Sequence, residues 1–180
     1  MIIIEKYRLV SDENDKSKFY MKSEEKSICP LCSCSDLRVI GSRKRIALNS
    51  RGEKLAIVIR RLRCSKCGRI HHELPDMLVP YKRYSSACIE AIVEGRGDEI
   101  SCENSSIYRI KEWFGYIMGY IAGSLGAIAV KMGIEIEVKE RSAFQRIKAY
   151  VGKEKGWLAR AVRTTVNTYN WVHTRSAFMS

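Results

Sequence analysis

The 180-residue chain is poor in proline, with three, and poor in aspartate, with five: Asp12, Asp15, Asp36, Asp76 and Asp98. So few prolines, beside 46% apolar and 29% charged residues, exclude a long disordered tract. The scarcity of aspartate bears on chemistry. A transposase or nuclease needs carboxylates spaced to hold two metal ions, and three of the five aspartates lie in or beside the N-terminal loop. Beyond the cysteine-rich stretch the chain is too short and too helical for a ribonuclease-H-like run of strands with spaced acids. A glycine-rich phosphate loop and a nucleophile elbow are both missing. Tyr81 and Tyr84 flank Arg83 in the manner of a tyrosine recombinase, but the further arginines and histidines of such a site are not recognisable. The expectation is a protein that binds and does not catalyse, with no catalytic residue assigned.

Long apolar runs are scarce as well. Residues 113–130, WFGYIMGYIAGSLGAIAV, are 18 residues without a charge, at the lower limit for a membrane span. Gly115, Gly119 and Gly123 recur at the spacing that lets helices approach closely. Four glycines, a serine and two tyrosines dilute the run, so a buried, tightly packed helix is expected, and no membrane partner. The N-terminus, MIIIEKYRLV, has only three apolar residues after Met1 and reads as a strand, not as the apolar region of a signal peptide. The cysteines number seven, an odd count, and four fall in two C-x-x-C pairs. A reducing cytoplasm and metal-bound thiolates fit that pattern better than a secreted disulfide scaffold.

Positive charge is in excess, at +12 overall, and it is concentrated. Residues 38–83 carry 13 basic against 3 acidic side chains and residues 139–180 carry 9 against 2. Residues 1–37 stand at −1 and residues 84–138 at −4. A concentrated positive field attracts a polyanion, of which nucleic acid is the common one.

Hydropathy patterning places strands over 2–10, 37–40, 43–49 and 55–63, with residues 11–27 a polar loop. Asn49-Ser50-Arg51-Gly52 is a turn signal that makes a hairpin of its flanking strands. After Pro75 and Pro80 the pattern becomes helical. Ser85 or Ser86 caps a helix to Glu94, with Cys88, Ala91 and Ile92 on one face. Asn104 or Ser105 caps a second helix, with Ile107, Ile110, Phe114 and Ile117 as its buried stripe. Ile134–Val138 reads as a short strand or extended loop, and 141–151 and 157–170 as two more helices.

Zinc takes four deprotonated ligands at tetrahedral angles, and a C-x-x-C turn supplies two at the required separation. Cys29-Pro-Leu-Cys32 and Cys64-Ser-Lys-Cys67-Gly68 are separated by one hairpin's worth of chain, the layout of a zinc ribbon. The expected cofactor is one structural zinc ion on Cys29, Cys32, Cys64 and Cys67. Cys34 is an alternative to Cys32, and His71 or His72 an alternative ligand or a partner of backbone or phosphate. Cys88 and Cys102 look like core residues. A ribbon of this size has too little core to fold alone, so the metal is part of its stability. Arg43, Lys44, Arg45, Arg60, Arg61, Arg63, Lys66 and Arg69, with Arg51 and Lys54, are the side chains it offers to phosphate. Arg60 and Arg61 fall on opposite strand faces.

The segment Ser105-Ser106-Ile107-Tyr108-Arg109-Ile110-Lys111-Glu112-Trp113-Phe114 resembles the recognition helix of transposase-type helix-turn-helix domains, which carry Ser-[Ser/Thr]-Ile-x-Arg followed by Trp. The likeness implies that Ser105 caps the helix and that Ser106, Tyr108, Arg109 and Glu112 face outward, with residues 85–94 as the first helix of the pair. Together with Cys29-Pro-x-Cys32, residues 59–84 (IRRLRCSKCGRIHHELPDMLVPYKRY) and the ending from Trp171 to Phe178, it resembles an uncharacterised bacterial family known only as a domain of unknown function. That family pairs a zinc ribbon with a helical segment and is similar to the N-terminal DNA-binding parts of insertion-sequence transposases. The resemblance covers roughly residues 28–180 and departs at Ser33-Cys34, where the first knuckle usually has glycine. It implies a mobile-element or phage setting.

The resulting expectation is an α+β chain: a zinc-ribbon module with its N-terminal strand over 1–80, then a mainly helical domain over 81–180 with a helix-turn-helix-like pair near 85–118. Its expected function is binding DNA as an accessory, targeting or regulatory factor, with a transposase or other mobile-element protein as a partner. A protein-interaction module in which zinc is only a staple, and an RNA-binding zinc ribbon, are the alternatives.

Overall fold

In the computed structural model, which describes residues 1–135 and 142–171, strands come first and helices follow. The strands are β1 (Ile2–Ile4), β2 (Tyr7–Ser11), β3 (Lys18–Ser23), β4 (Leu37–Leu48), β5 (Lys54–Cys64) and β6 (Ile70–Pro75). The helices are α1 (Ser86–Val93), α2 (Asn104–Lys131), α3 (Ala143–Val151) and α4 (Trp157–Asn167). The fold is mixed α+β.

β5 is the spine of the sheet. Its run LAIVIRRLR is β-branched and apolar where it is buried, with Ile57 and Ile59 fully inaccessible, each contributing about 1.5–3 kcal/mol by burial. One edge of β5 pairs antiparallel with β4 along its whole length. The other edge is shared: β3 pairs parallel with it at Ala56–Val58, and β6 antiparallel at Arg61–Arg63. β1 adds to β6 in parallel, and β2 to β3 as a hairpin. The β4–β5 turn is closed by the Asn49 side chain, which accepts from the backbone N–H of Arg51 and Glu53, and Gly52 takes a φ of 76°. Such a φ favours glycine.

Several expectations are corrected here. The single strand over 2–10 is two strands in different pairings. Residues 11–27 are not all loop, because Lys18–Ser23 alternates against β2. The strands expected at 37–40 and 43–49 are one; at Gly41 the chain makes a bulge opposite Arg61–Leu62 and continues. β6 was not anticipated, because its sequence IHHELP ends in proline and contains a glutamate that is fully buried.

On the helical side, Ser85 caps α1 as expected, accepting from the backbone N–H of Cys88. α2 is one continuous helix of 28 residues, so the candidate recognition helix and the apolar run at 113–130 are the same element. Neither Asn104 nor Ser105 caps it. Glu103 holds that position without a side-chain bond, and the Ser105 hydroxyl donates to the Glu103 carboxylate. By length and composition α2 would suffice to cross a membrane, but its stripe Ile110, Trp113, Phe114, Ile117, Ile121 and Leu125 is buried in the common core. Gly115, Gly119 and Gly123 lie on its exposed side, with nothing within 4 Å of where a Cβ would stand. They do not serve a close helix contact here. Only Gly126 meets a neighbour, the Tyr150 hydroxyl.

Glu90 of α1 and Glu94, its C-cap, organise the remaining helices. Glu90, 2% exposed, accepts from the backbone N–H of Gly156 (2.8 Å) and Leu158 (3.0 Å), satisfying the free donors at the start of α4 and opposing its dipole. Glu94 accepts from Lys148, Arg96 and the Trp157 indole. Burial pushes this carboxyl up, but those three hydrogen bonds outweigh it and bring it down to about 2. Phe114, Phe144 and Trp157 meet edge to face at 5.3–5.9 Å. α4 then closes the sheet: the Asn167 amide donates to and accepts from the Ile3 backbone, both at 2.8 Å, covering the free edge of β1. One apolar core therefore runs through strands and helices, across residue 80. The strand or loop expected at 134–138 and the ending beyond Trp171 lie outside the described residues from 136 and 172 onward.

Candidate metal centre and basic face

Two backbone turns of the same shape present the cysteines. In the first, the N–H of Ser33 donates to the Cys29 carbonyl; in the second, the N–H of Gly68 donates to that of Cys64. The fifth residue of each turn is left-handed, Ser33 with φ 57° and Gly68 with φ 71°. The departure at Ser33 thus preserves the turn geometry, at the steric cost of a Cβ in that region. The first turn precedes β4 and the second follows β5, so hairpin pairing of Leu37 with Cys64 brings them together.

All four sulfurs lie within 4.8 Å of one another. Cys29 is 3.6 Å from Cys67 and Cys32 is 3.5 Å from Cys64. A disulfide needs about 2.05 Å, and none of the cysteines is bridged. Four sulfurs each ~2.3 Å from a central ion would stand about 3.8 Å apart, so the cluster fits a tetrahedral metal ion. The backbone N–H of Cys67, followed by that of Lys66, lowers the Cys64 thiol. For Cys32 the backbone of Cys34 pulls down, but burial and the hydrogen bond shared with Cys64 push it up to about 12.

The alternative ligands stand apart from this set. The Cys34 sulfur faces Asp36 and Ser65. His71 is buried, with Nε2 3.3 Å from the Cys29 sulfur and Nδ1 3.5 Å from the Met1 amino group, so it touches a ligand without being one of the four. His72 lies on the other face of β6. Cys88 is buried in the core, and Cys102 packs against it.

Sheet register sorts the basic residues. Arg43 and Arg45 oppose Ile59 and Ile57, while Arg61 opposes His72, so these three arginines share one face with His72. Burial first, then Arg43 and Arg61, lowers the His72 pKa, as a concentrated positive field requires. Lys44, opposite Val58, is on the reverse face. Arg60 is there too, and it is committed: its guanidinium donates to Glu73 at 2.6 and 2.8 Å, and Glu73 is fully buried. The structure withdraws Arg60 from the set available to phosphate, because leaving Glu73 unpaired is costly. Arg63, Lys66 and Arg69 are exposed around the second cysteine turn. Among the described residues, no carboxylate lies within ion-pair distance of Arg43, Arg45, Arg61, Arg63, Lys66 or Arg69, whereas Arg8, Arg96, Arg160 and Arg163 are all paired.

Ser106 is half-buried, and Tyr108 and Arg109 are exposed, on the first turns of α2. They do not join the cysteine end. The tip of the β4–β5 hairpin docks just before α2, with the Ser101 N–H on the Ser50 carbonyl at 2.8 Å. At ~3.3 Å per residue, β5 separates that tip from Cys64 by about 35 Å. Tyr81, singled out in the sequence only beside Arg83, has a φ of 64° and lines a cavity with Arg43 and Arg45, a place that the sequence did not suggest.

A family described as a domain of unknown function, DUF6431, matches residues 29–110. The matched stretch begins at the first cysteine of the cluster, includes the basic hairpin and α1, and ends two turns into α2. It stops short of the span to residue 180 expected from resemblance, and the family's description mentions neither zinc ribbons nor transposases. No curated protein and no solved structure matches the chain.

Proposed function

We propose that the chain is a nucleic-acid-binding protein in which one structural zinc ion on Cys29, Cys32, Cys64 and Cys67 staples the open end of the β4–β5 hairpin as a zinc ribbon. The observation that carries this is the row of unpaired cations. Six basic side chains, on or beside one hairpin and without a carboxylate partner among the described residues, leave a positive surface. Phosphate contacts supply the bulk affinity, and zinc, which has no redox chemistry of its own, keeps the strands in register. The start of α2, at the other end of the hairpin from the cysteines, adds sequence preference where it enters a groove. Its likeness to transposase recognition helices supports DNA over RNA and an accessory or regulatory role beside a transposase.

Zinc content by elemental analysis, with binding to duplex DNA, single-stranded DNA and duplex RNA at two salt concentrations, tests the proposal. One zinc per chain and salt-sensitive DNA binding are expected. Protein purified without chelator that lacks zinc, or that binds no nucleic acid at low salt, contradicts it. The alternative is a protein partner seated on the outer face of α2, where Tyr108, Tyr116 and Val130 are 67, 67 and 80% exposed. Zinc without nucleic-acid binding would favour that reading.

A further inference from the structure

Between the β4–β6 face and the turn after Pro80 lies a cavity of about 340 Å³. Ile59 and Leu74 form its floor, and Arg43, Arg45, His72 and Tyr81 line its walls. Its size is at the small end for organic ligands, enough for one nucleotide and too little for a stacked pair.

Three features converge on it. Arg43 and Arg45 reach it without any carboxylate partner among the described residues, and Arg45 is only partly exposed. A partly desolvated guanidinium without a counter-charge is an incomplete pair, and phosphate oxygens match its fork. Ile59, at 0% exposure, and Leu74, at 2%, close the cavity from behind, so the surface open to an entering group is that of the two arginines, His72 and Tyr81. Finally, Tyr81 holds a left-handed backbone that a bulky residue avoids, and it stands 49% exposed beside the two arginines. Such strain persists where surrounding structure enforces it and is concentrated at ligand sites.

We infer that this cavity binds one unpaired nucleotide, its phosphate between Arg43 and Arg45 and its base against the Tyr81 ring. The inference rests on the nucleic-acid reading and refines it. A base inside a duplex is stacked on both sides and paired, so it cannot enter a cavity with a closed floor. An unpaired nucleotide, at a frayed end or in a single strand, can, by the aromatic stacking that single-strand binders use. The exposed cations at Arg63, Lys66 and Arg69 serve both kinds of strand, whereas the cavity distinguishes them.

The test uses the full zinc-loaded chain and four probes: a single-stranded oligonucleotide, the blunt duplex of the same sequence, a nucleoside monophosphate and inorganic phosphate. Tyr81→Ala and Arg45→Gln are each expected to weaken single-strand binding by about tenfold, the scale of one lost stacking or phosphate contact, and to change blunt-duplex binding by less than about twofold. Tyr81→Phe should retain single-strand binding. Arg43→Gln, at an exposed position, should act in the same direction as Arg45→Gln and covers the case in which the latter fails to fold. The monophosphate should compete with the single strand and inorganic phosphate should not. If the Tyr81 and Arg43 variants weaken both strands equally or neither, the cavity inference falls and the nucleic-acid reading stands. If only the free monophosphate binds, the nucleic-acid reading falls and the cavity is a site for a free nucleotide. If no probe binds, both fall.

Discussion

The strand half and the helical half of this molecule use charge in opposite ways. In the helical half, acids are turned inward and answered: Glu90 caps α4, and Glu94 gathers Lys148, Arg96 and Trp157. In the strand half, Arg43, Arg45, Arg61, Arg63, Lys66 and Arg69 have no carboxylate partner among the described residues, whereas Arg60 pairs with the buried Glu73, Lys18 with Asp12 and Arg8 with Glu24. The first arrangement stabilises the fold. The second adds self-repulsion to it, and the cysteine cluster sits at the end of the hairpin that bears that repulsion. A surface that costs stability and needs a covalent-strength staple is better explained by a ligand than by folding. Charged residues on an edge strand also discourage strand addition, which accounts for some of the arginines on β4 but not for Arg61 on the central strand.

The largest effect that would sharpen this contrast is removal of a metal ligand. Cys64→Ser should lose the ion and unfold the strand half, because structural zinc contributes about 10–16 kcal/mol against a total domain stability of about 5–15 kcal/mol. Since the core is shared, helical protection against hydrogen exchange should fall as well, but later in a denaturant series. Cys34→Ser should keep the metal. Retention of full stoichiometry in Cys64→Ser would remove the staple from the account.

Arg60 and its neighbour Arg61 are the next comparison. Arg60→Gln should destabilise the protein by about 3 kcal/mol by stranding the buried Glu73 carboxylate. Arg61→Gln should leave stability within about 0.5 kcal/mol and lower the salt slope of DNA binding by about one unit. Equal effects of the two variants on both readouts would erase the distinction between committed and available arginines.

In the helical half, Glu90→Gln should cost about 2 kcal/mol, since the buried amides of Gly156 and Leu158 lose a charged acceptor, with zinc content unchanged. Acid acts on the same region. The folded-state value of Glu94, about 2, is depressed from the model-peptide value of 4.5, so its contribution is fully present above about pH 5 and fades as pH falls toward 2. A Glu94→Gln variant should lose less stability than the wild type across that window, measured by chemical denaturation at fixed pH.

The smallest effect expected is at Ser33. Its left-handed backbone favours glycine, and Ser33→Gly should stabilise the holo protein by up to about 1 kcal/mol, partly offset by the greater freedom of glycine when unfolded. A loss of stability would mean that the Ser33 side chain contributes to the turn.

How much of this was legible beforehand follows from the kind of signal involved. The cysteine cluster was, because its information is local spacing in two turns joined by one hairpin. β5 and α1 were, because an apolar alternating run and a serine cap are also local. β6 was not: its buried Glu73 reads as surface until Arg60 is seen opposite it. β3 was missed because half its pairing is a three-residue parallel contact with β5 that no neighbour in sequence announces. For the basic residues, strand alternation already put Arg60 and Arg61 on opposite faces, but it did not say how the residues of β4 align with them. Only the register, with the bulge near Gly41, shows that Arg43, Arg45 and Arg61 share a face that Arg60 and Lys44 do not. The cavity was invisible for the same reason, since Tyr81 returns to that face from beyond β6. The cysteine end and the helix at Ser106–Arg109 stand at opposite ends of the hairpin, a separation that sequence order does not announce.

The central claim is that the unpaired cations of the hairpin are the nucleic-acid surface. The direct measurement is the salt dependence of duplex binding for the zinc-loaded wild type and for a variant with Arg61, Arg63, Lys66 and Arg69 all changed to Gln. The account predicts that the variant keeps its zinc and its fold, that affinity falls for every duplex sequence alike, and that the slope of log affinity against log salt drops by about three to four units. A folded, zinc-replete variant with unchanged affinity and slope would contradict it.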